Sequence, residues 1–417
     1  MDLIVSLHTA TKTRLLTSAL APHLDAFTAH LRRGGYAANT IKGYVAGIAH
    51  FAHWMTQRRL AVQVLDEHVV EHFLGDHLPR CHCTAPVMRV HGDLCAALGH
   101  LLEVLRKQGA IAEPALATGD IADELQRYDE HMRNARGLSA GTRRGRLRTA
   151  QRLLVHKFAG RSVVIAELQP GDVRQFIADQ LKLVGTISNA KTLASALRDY
   201  FGYTRTCGDK VHGLLGVIFS PANWSLASLP RGLKPAEVDH LLDLFNSPLP
   251  SPKRGYAIVR CALDMGLRSS EIAKLQLSDI DWRAGTVTLK HTKSLREDIL
   301  PLPAVTGQAL ADYIRHERPK TTNPAVFVRV SAPRDQPIGV SAIRHVIRDA
   351  FRRIGLKHGR AHALRHTLAC RLVNHGSSLK EVADVLRHRS LNTSLIYAKL
   401  DHPRLAAVAL PWPGSAT

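Results

Sequence analysis

Residues 361–376 read AHALRHTLACRLVNHG, and their spacing decides how this chain folds. Leu364, Leu368, Ala369, Leu372 and Val373 recur at helical intervals and line one face, and Asn374 with Gly376 supplies the stop. His362 and Arg365, three residues apart, leave the same side of that helix. Working outward, Ser378-Leu-Lys-Glu381 has the form of a capping box opening the next helix, which closes at Leu386-Arg387-His388. Tyr397 follows nine residues after His388. Upstream, Pro235 and Glu237 open one helix, and a second covers about 256–265 and stops at Gly266. GLRSSEIAKL (266–275) then carries Arg268 into a third helix, with Ser269 or Ser270 expected as its cap. Alternation of the β type is confined to 280–290 and 297–302, joined by a turn that contains Lys293. The fold class expected is mainly α with a small antiparallel β-sheet.

The chain has 417 residues, 45% of them hydrophobic and 22% charged, enough for two or three domains with their own cores. Lys and Arg total 56 against 35 Asp and Glu, a net charge of +21, and 40 of the cations are Arg. A planar guanidinium meets a phosphate at two points, so this excess is the footprint of a nucleic-acid binder. There is no apolar run approaching 18 residues, and Asp2, His8, Lys12 and Arg14 break any signal-peptide pattern. Six Cys in this length do not make a disulfide scaffold, so a reducing cytoplasm is expected, without a membrane partner.

Gly- and Pro-rich breaks at 109–119 and 207–232 divide the chain into three expected domains, 1–115, 120–206 and 231–417. The first two resemble each other. Phe27, His30 and Leu31 match Tyr128, His131 and Met132, Thr40 matches Thr142, and LDEHVVEHF (65–73) parallels LQPGDVRQF (168–176). A duplicated small helical bundle explains the repeat. In the second copy Arg143, Arg144, Arg146, Arg148 and Arg152 crowd one helix, with no acid between 140 and 160. Such a helix is expected to lie against DNA, where cations displace counterions from phosphates.

As chemistry, the C-terminal block offers cations and one phenol without a carboxylate cluster fit for divalent ions, and it has neither GxxxxGK[ST] nor GxGxxG. What remains is metal-free handling of a phosphodiester. Guanidiniums and imidazoles can neutralise a pentavalent phosphorane while a Tyr acts as nucleophile. His388 comes 23 residues after Arg365, and Tyr397 lies in the next segment, short enough for all to share one cleft.

These residues in this order resemble the tyrosine recombinases, the family of phage integrases, Xer-type resolvases and mobile-element recombinases. The resemblance rests on Arg268 in GLRSSEIAKL, Lys293 eight residues before Pro301, His362-x-x-Arg365-His366, Leu386-Arg387-His388 and Tyr397, and covers about 231–400. Residues 120–205 resemble the family's SAM-like core-binding domain. The resemblance implies that Tyr397 attacks a phosphodiester to form a 3′-phosphotyrosyl link while Arg268 and Arg365 clamp the non-bridging oxygens. Lys293 protonates the leaving 5′-oxygen, His362 helps accept the tyrosine proton, His388 hydrogen-bonds the phosphate, and Glu271 buttresses the site. Neither ATP, nor metal, nor any other cofactor is implied. Lys290 is the fallback for Lys293. His366 reads as structural.

Arg387 departs from the family, which usually has Gly there, and is expected to alter local geometry or add a phosphate contact. Cys81-His82-Cys83 with His91, Cys95 and His100 hints at zinc, but C-x-C is not the usual ligand spacing, and no metal site is expected. The apolar segment 405–410 is expected to dock on a neighbouring protomer or on its own domain. The implied partner is double-stranded DNA, bound by a tetrameric synapse of this chain or by a hetero-assembly with sibling recombinases in the bacterial nucleoid. The extra N-terminal block favours a mobile-element enzyme. The alternatives are a Xer-like housekeeping resolvase, a type IB topoisomerase, and a catalytically silent DNA-binding regulator.

Overall fold

The computed structural model of the protein describes residues 7–113, 119–183, 186–220, 232–290, 297–356, 359–388 and 390–399. They are mostly helical with one three-stranded antiparallel sheet, as the periodicity predicts. They separate into two compact units, residues 109–225 and the remainder of the chain. No described helix is long and apolar enough to cross a membrane.

The 109–225 unit is a helical bundle whose long helix, Ala140–Phe158, is capped by the Ser139 hydroxyl, which accepts from the Thr142 N–H at 3.4 Å. Its core holds Tyr128, Leu153, Phe158, Phe176, Leu197 and Phe201. Two buried phenols keep their polar tips satisfied: Tyr128 donates to Asp199 at 2.7 Å and Tyr200 to Glu124 at 3.0 Å. The element order is helix Asp120–Glu130, long helix Ala140–Phe158, 3₁₀ turn Ile165–Glu167, helix Pro170–Leu183 and long helix Ile187–Thr206.

The N-terminal residues run through the same order: Leu24–Arg33, Ala38–Gln57, Val62–Val64, Glu67–His72 and His91–Lys107. Of the residues matched by sequence, Phe27 and Tyr128 are both buried, and so are Phe73 and Phe176. These N-terminal helices group with the C-terminal block, to which they are joined where the Arg334 N–H donates to the Gly34 carbonyl at 2.9 Å.

In the C-terminal block the sequence YAIVRCALD (256–264) is buried almost all round. Ala257, Ile258, Val259, Cys261, Ala262 and Leu263 have no exposed surface, because their helix is packed on by Ala304–His316, Val340–Arg353 and Ala361–Asn374. The helix spans Pro252–Asp264, longer than its apolar run indicated, because Pro252 sits at the start, where its missing N–H is no loss. The sheet has order β1-β2-β3, with β1 Ile280–Asp281, β2 Thr286–Leu289 and β3 Asp298–Pro301, and Leu289 faces Asp298 across the last pair. Val287 and Leu289 point into the core while Thr286 and Thr288 alternate outward. Residues 291–296, Lys293 among them, and the 405–410 segment lie outside the described residues.

Candidate active site

The site begins where the central helix ends. Gly266 has φ +59°, and the Leu267 N–H reaches back to the Cys261 carbonyl at 3.2 Å, closing the helix with a left-handed turn. A Cβ at Gly266 would meet Leu386 Cδ2 at 2.9 Å and Leu368 Cδ2 at 3.0 Å, so the position needs glycine for space as well as for φ. The turn delivers Arg268 to the N-cap of the helix Ser269–Lys274. Neither Ser269 nor Ser270 caps this helix. Glu271 does that work, its carboxylate accepting the Arg268 N–H at 2.8 Å and the Arg268 guanidinium at 2.7 Å.

Arg365 is buried on the helix Ala361–Asn374, and its terminal nitrogens donate to the carbonyls of Gly266 and Leu386. It thereby ties the Gly266 turn to the Leu386-Arg387-His388 turn. Burial, and then Arg268 and Arg387, pull its guanidinium down to about 9, which leaves it charged at neutral pH.

Arg387 explains its own departure from the family pattern. It sits at φ +53°, the left-handed conformation that glycine adopts without strain, and its side chain is only 4% exposed. One guanidinium nitrogen donates to Glu271 at 2.8 Å. The expected change in local geometry is absent in one respect, since the backbone keeps a glycine-like φ, and the guanidinium is engaged beneath the turn by Glu271. Two guanidiniums, Arg268 and Arg387, thus share one carboxylate, with a third, Arg365, held close by on backbone carbonyls. Burial pushes Glu271 up, but Arg387, the Arg268 N–H and the Arg268 side chain outweigh it and hold the carboxyl below its ordinary value.

The excess positive charge sets the state of the imidazoles. His388 is lowered to about 4, first by burial and then by Arg365 and Arg268, and its Nδ1 lies 2.7 Å from the Ser394 hydroxyl. His362 is lowered, by partial desolvation of the ring and then by Arg365 and Arg268, although the residue keeps exposed surface, and it has no hydrogen-bond partner among the described residues. His366 is lowered by burial, His362 and Arg365. All three are therefore neutral at pH 7 and able to accept a proton.

Tyr397, on the short helix Leu395–Ala398, is 2% exposed. Its hydroxyl lies 2.7 Å from Nδ1 of His366, with ring centroids 5.6 Å apart. Burial raises the phenol to about 12, against a lowering by Arg365. The structure thus brings together Arg268, Glu271, His362, Arg365, His388 and Tyr397. Lys290, the fallback for Lys293, directs its ammonium to buried Asp279 at 3.3 Å.

Residues 231–404 match the phage integrase family. The chain is 33% identical over 402 residues to y4rA of Sinorhizobium fredii, named as an integrase/recombinase, covering 95% of both chains. The chain belongs to this family, the tyrosine recombinases. The tyrosine recombinase XerD of Yersinia pestis is 30% identical over 239 residues, 57% of this chain and 79% of that one. Among solved structures, XerH recombinase bound to its difH substrate shares the fold, with TM-score 0.53 and 18% identity over 72% of this chain and 91% of that chain.

One contact of the Tyr397 phenol is not evident from the sequence. His366 reads as a structural companion of Arg365, yet it, and not His362, contacts the phenol. The spacing carried a signal: 366 lies one residue past the His362–Arg365 stripe, and only the fold shows that Tyr397 docks on that side. The arginines of the 140–158 helix also divide. Arg143 pairs with Asp129 at 3.2 Å and Arg146 with Asp199 at 2.7 Å, both mostly covered. The helix lacks acids of its own, but its neighbours provide them. Arg144, Arg148 and Arg152 are exposed, and Arg152 also donates to Gln180 at 3.2 Å.

Proposed function

We propose that this recombinase cuts and rejoins DNA strands at specific sites through a 3′-phosphotyrosyl intermediate on Tyr397, in the service of a mobile element. The observation that carries the assignment is the 2.7 Å hydrogen bond between the Tyr397 hydroxyl and the His366 imidazole, beside a cluster of guanidiniums in excess over carboxylates. In the reaction the Tyr397 oxygen attacks phosphorus, the phenolic proton passes to His366, the bond from phosphorus to the 5′-oxygen breaks, and Lys293 protonates that oxygen. Arg268 and Arg365 hold the non-bridging oxygens as charge accumulates. His362 and His388 donate or accept at the same phosphate. Religation is the reverse, so the bond energy is kept and no nucleotide is consumed.

A phenol near 12 is ionised to only about one part in 10⁵ at pH 7, and burial, then His362 and Arg365, lower His366. A bound phosphate offsets the charge of Arg365, one of the groups that lower His366.

The partner is double-stranded DNA, met by the exposed Arg144, Arg148 and Arg152 as well as by the catalytic block. The working form is a synaptic tetramer, of this chain or with sibling recombinases, and the N-terminal helices are a second copy of the core-binding fold. The test is covalent trapping. The protein is incubated in EDTA with nicked duplexes from the DNA flanking its own gene, then quenched in SDS. A protein–DNA adduct absent from Tyr397→Phe supports the proposal. A clear gel shift without adduct, on every such duplex, refutes it in favour of a silent binder.

A further inference from the structure

The N-terminal helices bring together four metal-ligating side chains that have no part in strand cleavage. His50, 1% exposed, lies in the core on the helix Ala38–Gln57. His77 comes from the turn Phe73–His77, and Cys81 and Cys83 from the irregular stretch after it. One donor atom from each falls within 4.8 Å of all the others. His50 Nε2 is 3.4 Å from His77 Nε2 and 3.2 Å from Cys81 Sγ, and Cys83 Sγ is 3.6 Å from His77 Nε2.

Those three separations are close to edges of a tetrahedral zinc site, and the remaining ones stay within 4.8 Å. With zinc–nitrogen bonds of about 2.05 Å and zinc–sulfur bonds of about 2.3 Å, a regular site has edges of roughly 3.3 Å between nitrogens and roughly 3.6 Å from nitrogen to sulfur. The outer groups are also in place. His50 Nδ1 lies 2.7 Å from the Met88 carbonyl, so that nitrogen carries the hydrogen and Nε2 presents its lone pair to the centre. The Cys83 N–H donates to Cys81 Sγ at 3.4 Å, a bond that favours thiolate. Arg89 donates to the Cys83 carbonyl at 3.0 Å, and Arg14 to the Thr84 and Pro86 carbonyls at 2.8 and 3.0 Å, setting two cations beside two thiols.

We infer that His50, His77, Cys81 and Cys83 bind one structural Zn²⁺ ion, which fastens the exposed 81–90 stretch to the N-terminal helices. Two soft thiolates and two imidazoles in tetrahedral array select zinc over the oxygen-seeking divalent ions. All four positions are protein atoms, so the site is closed and not a hydrolytic one. The sequence grouping of Cys81 and Cys83 with His91 and Cys95 does not form. His91 and Cys95 contact each other at exposed positions of their own helix, and the partners come from 31 residues upstream and from the preceding turn. Among the described residues the second bundle has no such set. At the repeat offset of 102 to 103 residues, His50 corresponds to Arg152 and His77 to Gln180, and those two hydrogen-bond each other directly.

The test measures metal in the full-length protein, purified with zinc in the medium and without affinity-tag histidines. About one zinc per chain is expected, retained in Cys95→Ser/Cys207→Ser and reduced at least about tenfold in Cys81→Ser/Cys83→Ser. Replacing zinc by cobalt(II) should give intense visible bands with thiolate-to-metal absorption in the near ultraviolet, and the latter should grow in His77→Cys. This gain keeps the test decisive if the double serine variant fails to fold. Zinc retained in Cys81→Ser/Cys83→Ser, a weak octahedral cobalt spectrum, or no uptake by protein whose six cysteines all titrate as thiols would each overturn the inference.

Discussion

Glu271→Gln is the perturbation that the structure makes most quantitative. The substitution keeps the side chain's shape and removes the one negative charge shared by Arg268 and Arg387. Arg268 is 23% exposed and can turn toward water, whereas Arg387 is 4% exposed and cannot. Removing one partner of a buried pair costs about 3–5 kcal/mol, nearly all of it here from the stranded Arg387 charge. Arg387→Gly alone should cost less. It relieves the positive φ, worth about 1–2 kcal/mol, and leaves Glu271 still held by the side chain and N–H of Arg268. The double variant Glu271→Gln/Arg387→Gly should therefore recover about 2–3 kcal/mol of the Glu271→Gln loss. Calorimetry reads these as midpoint shifts of about 2–4 °C per kcal/mol for a block of this size. Strict additivity of the two single effects would refute the coupling and with it the buttress. The pH dependence has a fixed sign. Glu271 is held below its ordinary value in the fold, so its stabilisation is complete above the unfolded carboxyl value, about 4.3, and fades as pH falls through the lowered folded one. Glu271→Gln should flatten that acid limb.

Four further outcomes follow from the same geometry. His366→Ala should slow adduct formation about 10²-fold, with the deficit narrowing as pH rises toward the phenol's own ionisation, read from quenched time courses between pH 6 and pH 10. His388, held near 4, should show no titration by NMR above about pH 5, and folded stability should fall as pH drops from about 6.5 toward 4, because the unfolded chain takes that proton first. Gly266→Ala should lower stability by about 2–4 kcal/mol through its left-handed φ and its contacts with Leu386 and Leu368, and should abolish adduct formation by displacing Arg268, as denaturation and trapping would show. Arg144→Ala/Arg148→Ala should weaken binding to all duplexes and reduce the salt slope by about 2, whereas Arg143→Ala and Arg146→Ala should instead lower the melting midpoint of the 109–225 unit.

Much of the catalytic block was legible because its signals are local. The Ser378–Glu381 capping box is present with both of its bonds, at 2.6 and 3.2 Å, and Gly266 and Gly376 end helices at positive φ as read. The sheet falls inside the two alternating stretches. What could not be read depends on contacts between segments remote in sequence. Arg387 meets Glu271 across 116 residues, and His366 meets Tyr397 across 31. Arg143 and Arg146 looked like a bare cationic face because their acids stand on other helices. Cys81 and Cys83 lacked a plausible ligand spacing because His50 lies a whole helix away. Spacing rules see only neighbours, and each of these groupings is made by packing.

The most direct measurement of the central claim is to digest the trapped protein–DNA complex and sequence the nucleotide-bearing peptide by mass spectrometry. A single modified residue is expected, Tyr397, esterified to a 3′-phosphate, with the released strand ending in a 5′-hydroxyl. A modification on any other residue, or a free 3′-phosphate with no covalent peptide, would contradict it.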